Sequence, residues 1–397
     1  MQLSKRVLSI KESPTLAITA QAEKMKAQGL DVIGLAAGEP DFNTPDFIRS
    51  SAKAAIDAGL TKYTQVGGIP TLKKAIIDKF KRDNNVVFEP NEILVSVGGK
   101  HSFFNLCMAY LDPGDEVIIP APYWVSYPDI VLLAEGVPVP VICGIEQHYK
   151  ITAEQLCSSI TPKTRMIVIN SPSNPSGAVY TTEELKALAE VLKGHPEILI
   201  ASDDMYEHIM LANTKFCNIL DVAPELKPQT ILLNGVSKAY SMTGWRIGYA
   251  GGPAQLIQAM TKIQSQSTSN PTSISQIAAE TALSGDQNCI TPMVEAFNRR
   301  HDYVSERMNK IRGLRCIRAG GSFYSYVDCR EAIALLHKEG KIDNTTDLAF
   351  AQYLLEKHLL AIVPGSAFGT EGYFRASFAT SDEILEKACN RIEEALS

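Results

Sequence analysis

Lys238 lies in the segment Ser237-Lys238-Ala239-Tyr240-Ser241-Met242-Thr243-Gly244-Trp245-Arg246, just after the apolar run Ile231-Leu232-Leu233. That order puts the lysine past the end of a strand, at the mouth of a cleft. A lysine there can form an imine with an aldehyde if burial or neighbouring charge keeps its amine neutral. The same amine, once released, is placed to move a proton between two carbon atoms. Arg246, further along the same segment, offers a guanidinium fork of the kind that grips a phosphate. Taken alone, a lysine in such a loop is ordinary surface chemistry, so the case depends on partners.

Four segments supply them. Ser202-Asp203-Asp204-Met205-Tyr206-Glu207 follows the apolar run ending at Ala201. Asp203 can hold a protonated ring nitrogen by a charge-assisted hydrogen bond, and Tyr206 can donate to a ring oxygen; an Asp capping a following helix is the plainer alternative. Asn170-Ser171-Pro172-Ser173-Asn174-Pro175-Ser176-Gly177 is a stiff turn that can hold Asn174 rigidly, with a cis bond expected before Pro175. Val97-Gly98-Gly99-Lys100-His101 leads into a helix expected over Ser102–Tyr110, whose first backbone amides can cradle a phosphate. Phe374-Arg375-Ala376-Ser377-Phe378 reads as a strand carrying an arginine among apolar neighbours. Such a cation needs a carboxylate, either in a structural ion pair or on a bound substrate.

The elements that position these residues come from alternating patterns. Short apolar runs expected as strands fall at 92–97, 116–119, 137–142, 165–169, 197–201, 230–233 and 246–250. Helical patterns such as Thr182–Leu192 lie between most of them. Alternation of this kind implies an α/β fold: a mostly parallel, seven-stranded sheet covered by helices on both faces. Residues 46–290 are expected to form this large domain. Residues 1–45 and 291–397 are expected to pack together as a smaller α/β domain built from both chain ends, with the active site in the cleft between the two.

Composition limits the alternatives. The 397 residues carry a net charge of −6 and no long run of like charges, which argues against nucleic acid or an anionic membrane as partner. No apolar run approaches the about 20 residues needed to span a bilayer, and no signal-peptide core is evident. Eight cysteines, none in a C-x-x-C pair, read as reduced thiols of a cytoplasmic protein. The seven histidines form no H-x-x-x-H or H-x-H pair, so no metal site is expected. There is neither a Walker A loop nor a G-x-G-x-x-G turn.

Taken together, the Asn174, Asp203, Lys238 and Arg375 segments occur in the order and spacing of the class I aminotransferases of pyridoxal-phosphate fold type I, and the match runs along nearly the whole chain. Leu35-Ala36-Ala37-Gly38-Glu39-Pro40-Asp41-Phe42 and Ala121-Pro122-Tyr123-Trp124-Val125-Ser126-Tyr127-Pro128 resemble the bacterial aspartate aminotransferase branch. The resemblance implies pyridoxal 5'-phosphate on Lys238 as a Schiff base, with Asp203 on its pyridine nitrogen. It further implies Tyr206 and Asn174 at the ring oxygen, Trp124 stacked on the ring, and Gly99, Lys100, Ser237 and Arg246 at the phosphate. Arg375 would clamp the substrate α-carboxylate with Asn174, Trp124 and Gly38. Tyr63 would reach the phosphate of a neighbouring subunit, which implies a homodimer with shared sites.

The resemblance also bears on substrate. Some aspartate aminotransferases bind the distal carboxylate with an arginine from the partner; Ser265 stands near that place here. In the bacterial branch Lys100 takes that role, and a flexible point charge tolerates more than one dicarboxylate. The prephenate-accepting members share a threonine near the N-terminus, matched here by Thr15 beside Lys11. The expected activity is aspartate transamination, extended to prephenate. The rivals are an aromatic or alanine aminotransferase, a C–S lyase or cyclopropane-forming synthase of the same fold, and a transcription regulator built on an aminotransferase-like domain.

Overall fold

The computed structural model describes residues 3–10 and 14–397, with the side chains of residues 14–16 outside the description. Lys11 lies outside the described residues. Strand β1 (Ile33–Gly34) comes first, followed by the seven strands of the main sheet. These are β2 (Ile93–Ser96), β3 (Glu116–Ala121), β4 (Val137–Ile142), β5 (Thr164–Asn170), β6 (Leu199–Asp203), β7 (Thr230–Gly235) and β8 (Gly248–Gly251). Their order across the sheet is β2-β8-β7-β6-β5-β3-β4, and β8 alone runs antiparallel to its neighbours.

All seven expected strands are present, and the residue types explain why. Their side chains alternate between the two faces. Leu94, Val117, Ile119, Val168, Ala201 and Leu233 pack on one side, while Val95, Ile118, Ile167, Ile200 and Leu232 pack on the other. Both sides of the inner strands are buried, so these strands are largely apolar. β4 contains Pro138 and Pro140, which cannot donate to a ladder, and it lies at the sheet edge as they require. Thr181 and Glu184 form a capping box that starts the helix Thr182–Lys193.

Element limits differ from the expected ones at three places that matter. β6 extends to Asp203, so this residue is the last of a strand. No helix follows it, and the helix-cap alternative for Asp203 falls. The helix after the glycine turn begins at Gly99 and runs to Tyr110, three residues earlier than Ser102. The strand expected at 246–250 begins at Gly248, and Arg246 precedes it with a left-handed φ of 55°.

The remaining strands are β9 (Arg315–Cys316), β10 (Tyr324–Asp328), β11 (Leu360–Ala361), β12 (Val363–Pro364) and β13 (Tyr373–Ser377). An antiparallel sheet β12-β13-β10-β9 forms from four of them, and β1 pairs in parallel with β11. The N-terminal residues are thereby tied to the C-terminal ones. Arg300 reinforces the tie with two 2.9 Å hydrogen bonds to Asp41.

Candidate active site

Parallel strands that end on one edge of a sheet leave their loops together. Here the chain just beyond β2, β3, β5, β6 and β7 lines one side of a cavity of about 500 Å³, which β10, β13 and residues 36–39 close from the other side. Lys238 emerges after β7. Its Nζ donates to the carbonyl of Gly38 at 2.6 Å. Burial, then the cations Arg375 and Arg246, push this amine down to about 8, against a smaller opposite pull from Glu39 and Asp203.

Asp203 forms the opposite wall. Its Oδ2 accepts from the phenol of Tyr127 at 2.5 Å and its Oδ1 from the amide of Met205 at 3.2 Å. Burial raises the pKa of this carboxyl, and the two donors work against that shift. Asn170 organises the neighbourhood. Its Nδ2 donates to the Asp203 carbonyl and its Oδ1 accepts from the Asn174 amide, both at 2.9 Å. That pairing joins the Asn174 turn to the end of β6. The turn contains the expected cis bond before Pro175 and another before Pro172.

Arg375, 3% exposed, projects from β13. Its guanidinium donates to Asn174 Oδ1 at 2.9 Å and to the Ala36 carbonyl at 2.7 Å, and stacks over Tyr324 at 4.3 Å. Nε has no partner. The carboxylate expected beside it is not supplied by the described residues of the chain. Leaving a buried cation unpaired is costly, so the arrangement favours the substrate alternative over a structural ion pair.

The opposite end of the cavity is built for another anion. Gly98, at φ 86°, caps the helix Gly99–Tyr110. The first two helical residues, Gly99 and Lys100, have no intrahelical acceptor for their amides. A Cβ on Gly98 would stand 2.3 Å from the Arg246 guanidinium, and one on Gly248 would stand 2.2 Å from the Gly99 nitrogen. Glycine at these two positions is therefore what lets the arginine and β8 close up against the turn. Lys100 Nζ sits 5.2 Å above the Trp124 ring, with its pKa lowered by burial and then by Arg246. Among the described residues, Lys100, Lys238, Arg246 and Arg375 have no carboxylate ion-pair partner, although all four line one cavity.

The model of the aminotransferase class I and II family matches residues 30–392. This chain belongs to that family. It is 60% identical over 397 residues to the aspartate/prephenate aminotransferase of Nitrosomonas europaea, covering all of both chains. An aspartate aminotransferase structure from Rhizobium meliloti superposes with a TM-score of 0.95 at 48% identity, covering 100% of this chain and 99% of that one. The aspartate aminotransferase of Thermus thermophilus with maleate gives a TM-score of 0.93 at 40% identity, covering 100% of both.

The cofactor of this aminotransferase is pyridoxal 5'-phosphate. The cavity's charges fit it. A half-buried carboxylate without an ion-pair partner suits a protonated ring nitrogen, a lysine of lowered basicity suits an aldehyde, and free helix amides beside a guanidinium suit a phosphate.

Of the residues expected from sequence, the aminotransferase brings eleven to this cavity: Gly38, Gly99, Lys100, Trp124, Asn174, Asp203, Tyr206, Ser237, Lys238, Arg246 and Arg375. Tyr63 is not among them; it is 92% exposed on the surface. Thr15 is in the helix Pro14–Ala27, but its side chain, like the whole of Lys11, is outside the described residues. Sequence reasoning gave no role to Asn170, Tyr127 and Tyr324. Asn170 and Tyr127 stood within segments already singled out, and the hydroxyl of Tyr324 meets that of Tyr206 at 3.1 Å.

Proposed function

We propose that this aminotransferase exchanges the amino group of L-aspartate with 2-oxoglutarate and also accepts prephenate. The observation that carries the reading is Arg375: a buried guanidinium, without a carboxylate from the described chain, in the same cavity as Lys238 and Lys100. Two cations able to receive carboxylates suit a dicarboxylic substrate. The names of the Nitrosomonas relative and of the Thermus structure with maleate, a dicarboxylate, support this choice.

Bound pyridoxal phosphate supplies an aldehyde for the substrate amine and a ring that takes up the electrons left by a departing α-proton. Asp203 keeps the ring nitrogen protonated. Asn174 and Tyr206 hold the ring oxygen, and Trp124 covers the ring face. Gly99, Lys100, Ser237 and Arg246 hold the phosphate through amide, hydroxyl and guanidinium donors, and Tyr63 of a second copy completes that set. Arg375 orients the substrate by its α-carboxylate, with Asn174, Trp124 and the Gly38 amide around it. The Lys100 ammonium receives the distal carboxylate, and the prephenate reading draws on Thr15 and Lys11, which stand in the segment matching that of the prephenate-accepting members. Lys238 would be the group that accepts the substrate α-proton and returns it beside the cofactor, a role its lowered basicity permits near neutral pH.

The same reading includes a homodimer, small-molecule amino and keto acids as partners, and a cytoplasmic location. Tyr63 follows the exposed apolar residues Ile56 and Leu60 in the chain, and all three are open to a second copy. All eight cysteines are free, and no helix of the described residues is long and apolar enough to cross a membrane. Residues 46–290 are taken as the cofactor-binding domain, and 1–45 with 291–397 as the smaller one.

The test is a half-reaction. Enzyme converted to its amino form with L-glutamate and freed of amino acid is mixed with oxaloacetate or prephenate, and the cofactor spectrum is followed. Return of the aldehyde-form spectrum with both is expected. Return with oxaloacetate alone removes prephenate, and no return with either overturns the substrate reading.

A further inference from the structure

Tyr127 lies beneath the cofactor cavity and is 1% exposed. Its ring is held by edge contacts to Phe103, 4.9 Å between centroids, and to Trp124, 5.1 Å away. Its hydroxyl donates to Asp203 Oδ2 at 2.5 Å. Side-chain alternation along β6 accounts for the meeting. Leu199 and Ala201 point to the face covered by the helix Ser126–Leu133, and Asp203 follows on the same side. We propose that Tyr127 is the positioning residue for Asp203, fixing the orientation of the carboxylate and keeping it ionised for the ring nitrogen. The proposal rests on the reading of Asp203 as the partner of that nitrogen.

The type of donor matters. A phenol in this place carries no charge, and burial followed by the Asp203 charge drives its own pKa well above the ordinary value. It therefore remains a donor across the working range and never a second base. A lysine or arginine in its place would cancel the carboxylate's charge and compete with the ring cation. A residue without a donor would leave a desolvated carboxylate with only the Met205 amide, and protonation would relieve it. Protonated Asp203 cannot hold a proton on the ring nitrogen. Lys238, Tyr206 and Asp204 are the other ionisable groups close to the pair.

Three variants test this: Tyr127→Phe, Asp203→Asn and the double variant, each refolded with cofactor and checked for an unchanged far-UV spectrum. Phenylalanine keeps the ring contacts and removes only the hydroxyl. The readouts are the dissociation constant for pyridoxal phosphate and the pH at which the bound cofactor changes colour, since a protonated ring withdraws electrons and lowers that pH. Y127F is expected to raise the dissociation constant about tenfold, the scale of one hydrogen bond to a charged group, and to move the colour change upward. In the Asp203→Asn background the same change should add nothing. Wild-type values in Y127F, or an equal added effect without the Asp203 carboxylate, would overturn the proposal. Wild-type values in Asp203→Asn would instead overturn the reading of Asp203 on which it stands.

Discussion

Two inward-facing lysines of this protein, Lys79 and Lys238, have opposite surroundings. Lys79, 0% exposed on the helix Pro70–Asn84, contacts the Glu207 carboxylate, donates to Asn84 Oδ1 at 2.7 Å and lies 3.9 Å from Asp83. Glu207 also accepts from Asn84 and Asn234, each at 2.7 Å, and every strong group there has a partner. Asp83, Glu207 and His208 bring three possible metal ligands within 4.8 Å, but the ammonium of Lys79 already supplies the positive charge. Lys238 has one carbonyl as its hydrogen-bond acceptor and two arginines nearby. Burial alone does not make a lysine reactive. Burial beside cations does, because each makes the charged form dearer. The arginines repeat the contrast: Arg300 is closed by Asp41 and Asp382, whereas Arg375 has only neutral acceptors.

The largest expected effect separates the two lysines by activity. Lys238→Ala should lower kcat by on the order of 10⁴-fold or more, since both covalent attachment and proton transfer are lost. Its fold should persist, as measured by circular dichroism and thermal unfolding. Activity within tenfold of wild type would mean another group carries the proton, and the electrostatic contrast would have no functional content.

Lys79→Ala should do the reverse. Removing it leaves Glu207 buried and short of its cation, at a cost of about 3–5 kcal/mol in stability measured by urea unfolding. Loss of that stability would confirm a closed structural pair. A Lys79→Ala protein as stable as wild type but inactive would move this network into the catalytic machinery.

Arg375→Gln comes next. Losing one partner of a charge pair that forms only with substrate should lower kcat/KM for amino acids by on the order of 10²-fold. The unliganded protein should be no less stable, because no carboxylate of the described chain loses a partner. A clear fall in stability would show that Arg375 is structural after all, and would erase its difference from Arg300.

Which half of this comparison the sequence reveals has a physical reason. Lys238 and Asp203 follow apolar runs long enough to be strands, and strand ends gather at one edge whatever the details of packing. The glycine turn, the Asn174 turn and Arg375 are visible for the same local reasons. Lys79 is not. It stands in Lys73-Lys74-Ala75-Ile76-Ile77-Asp78-Lys79-Phe80-Lys81-Arg82, where a charged residue reads as solvated, and its partner Glu207 is far along the chain. Tyr127 and Tyr324 escape likewise, since an aromatic near apolar residues looks like core until the polar atom at its tip finds a partner. Local pattern carries the scaffold and the strand-end chemistry. Pairing across long sequence separations carries the charge balance, and one sequence does not display it.

The finest test titrates the contrast itself. Apoprotein is mixed with pyridoxal phosphate at a series of pH values, and the rate of appearance of the bound chromophore is followed. Only a neutral amine attacks the aldehyde. With Lys238 titrating at about 8, lowered from the ordinary lysine value, the neutral form gains as pH rises toward that point. At pH 7 about one amine in ten is neutral, against roughly one in 3,000 for an ordinary lysine. The rate should therefore rise about tenfold per pH unit below 8 and flatten above it. A bend near the ordinary lysine value would mean the cations do not act as described. In Arg375→Gln the bend should move upward, because one of the two cations holding it down has gone.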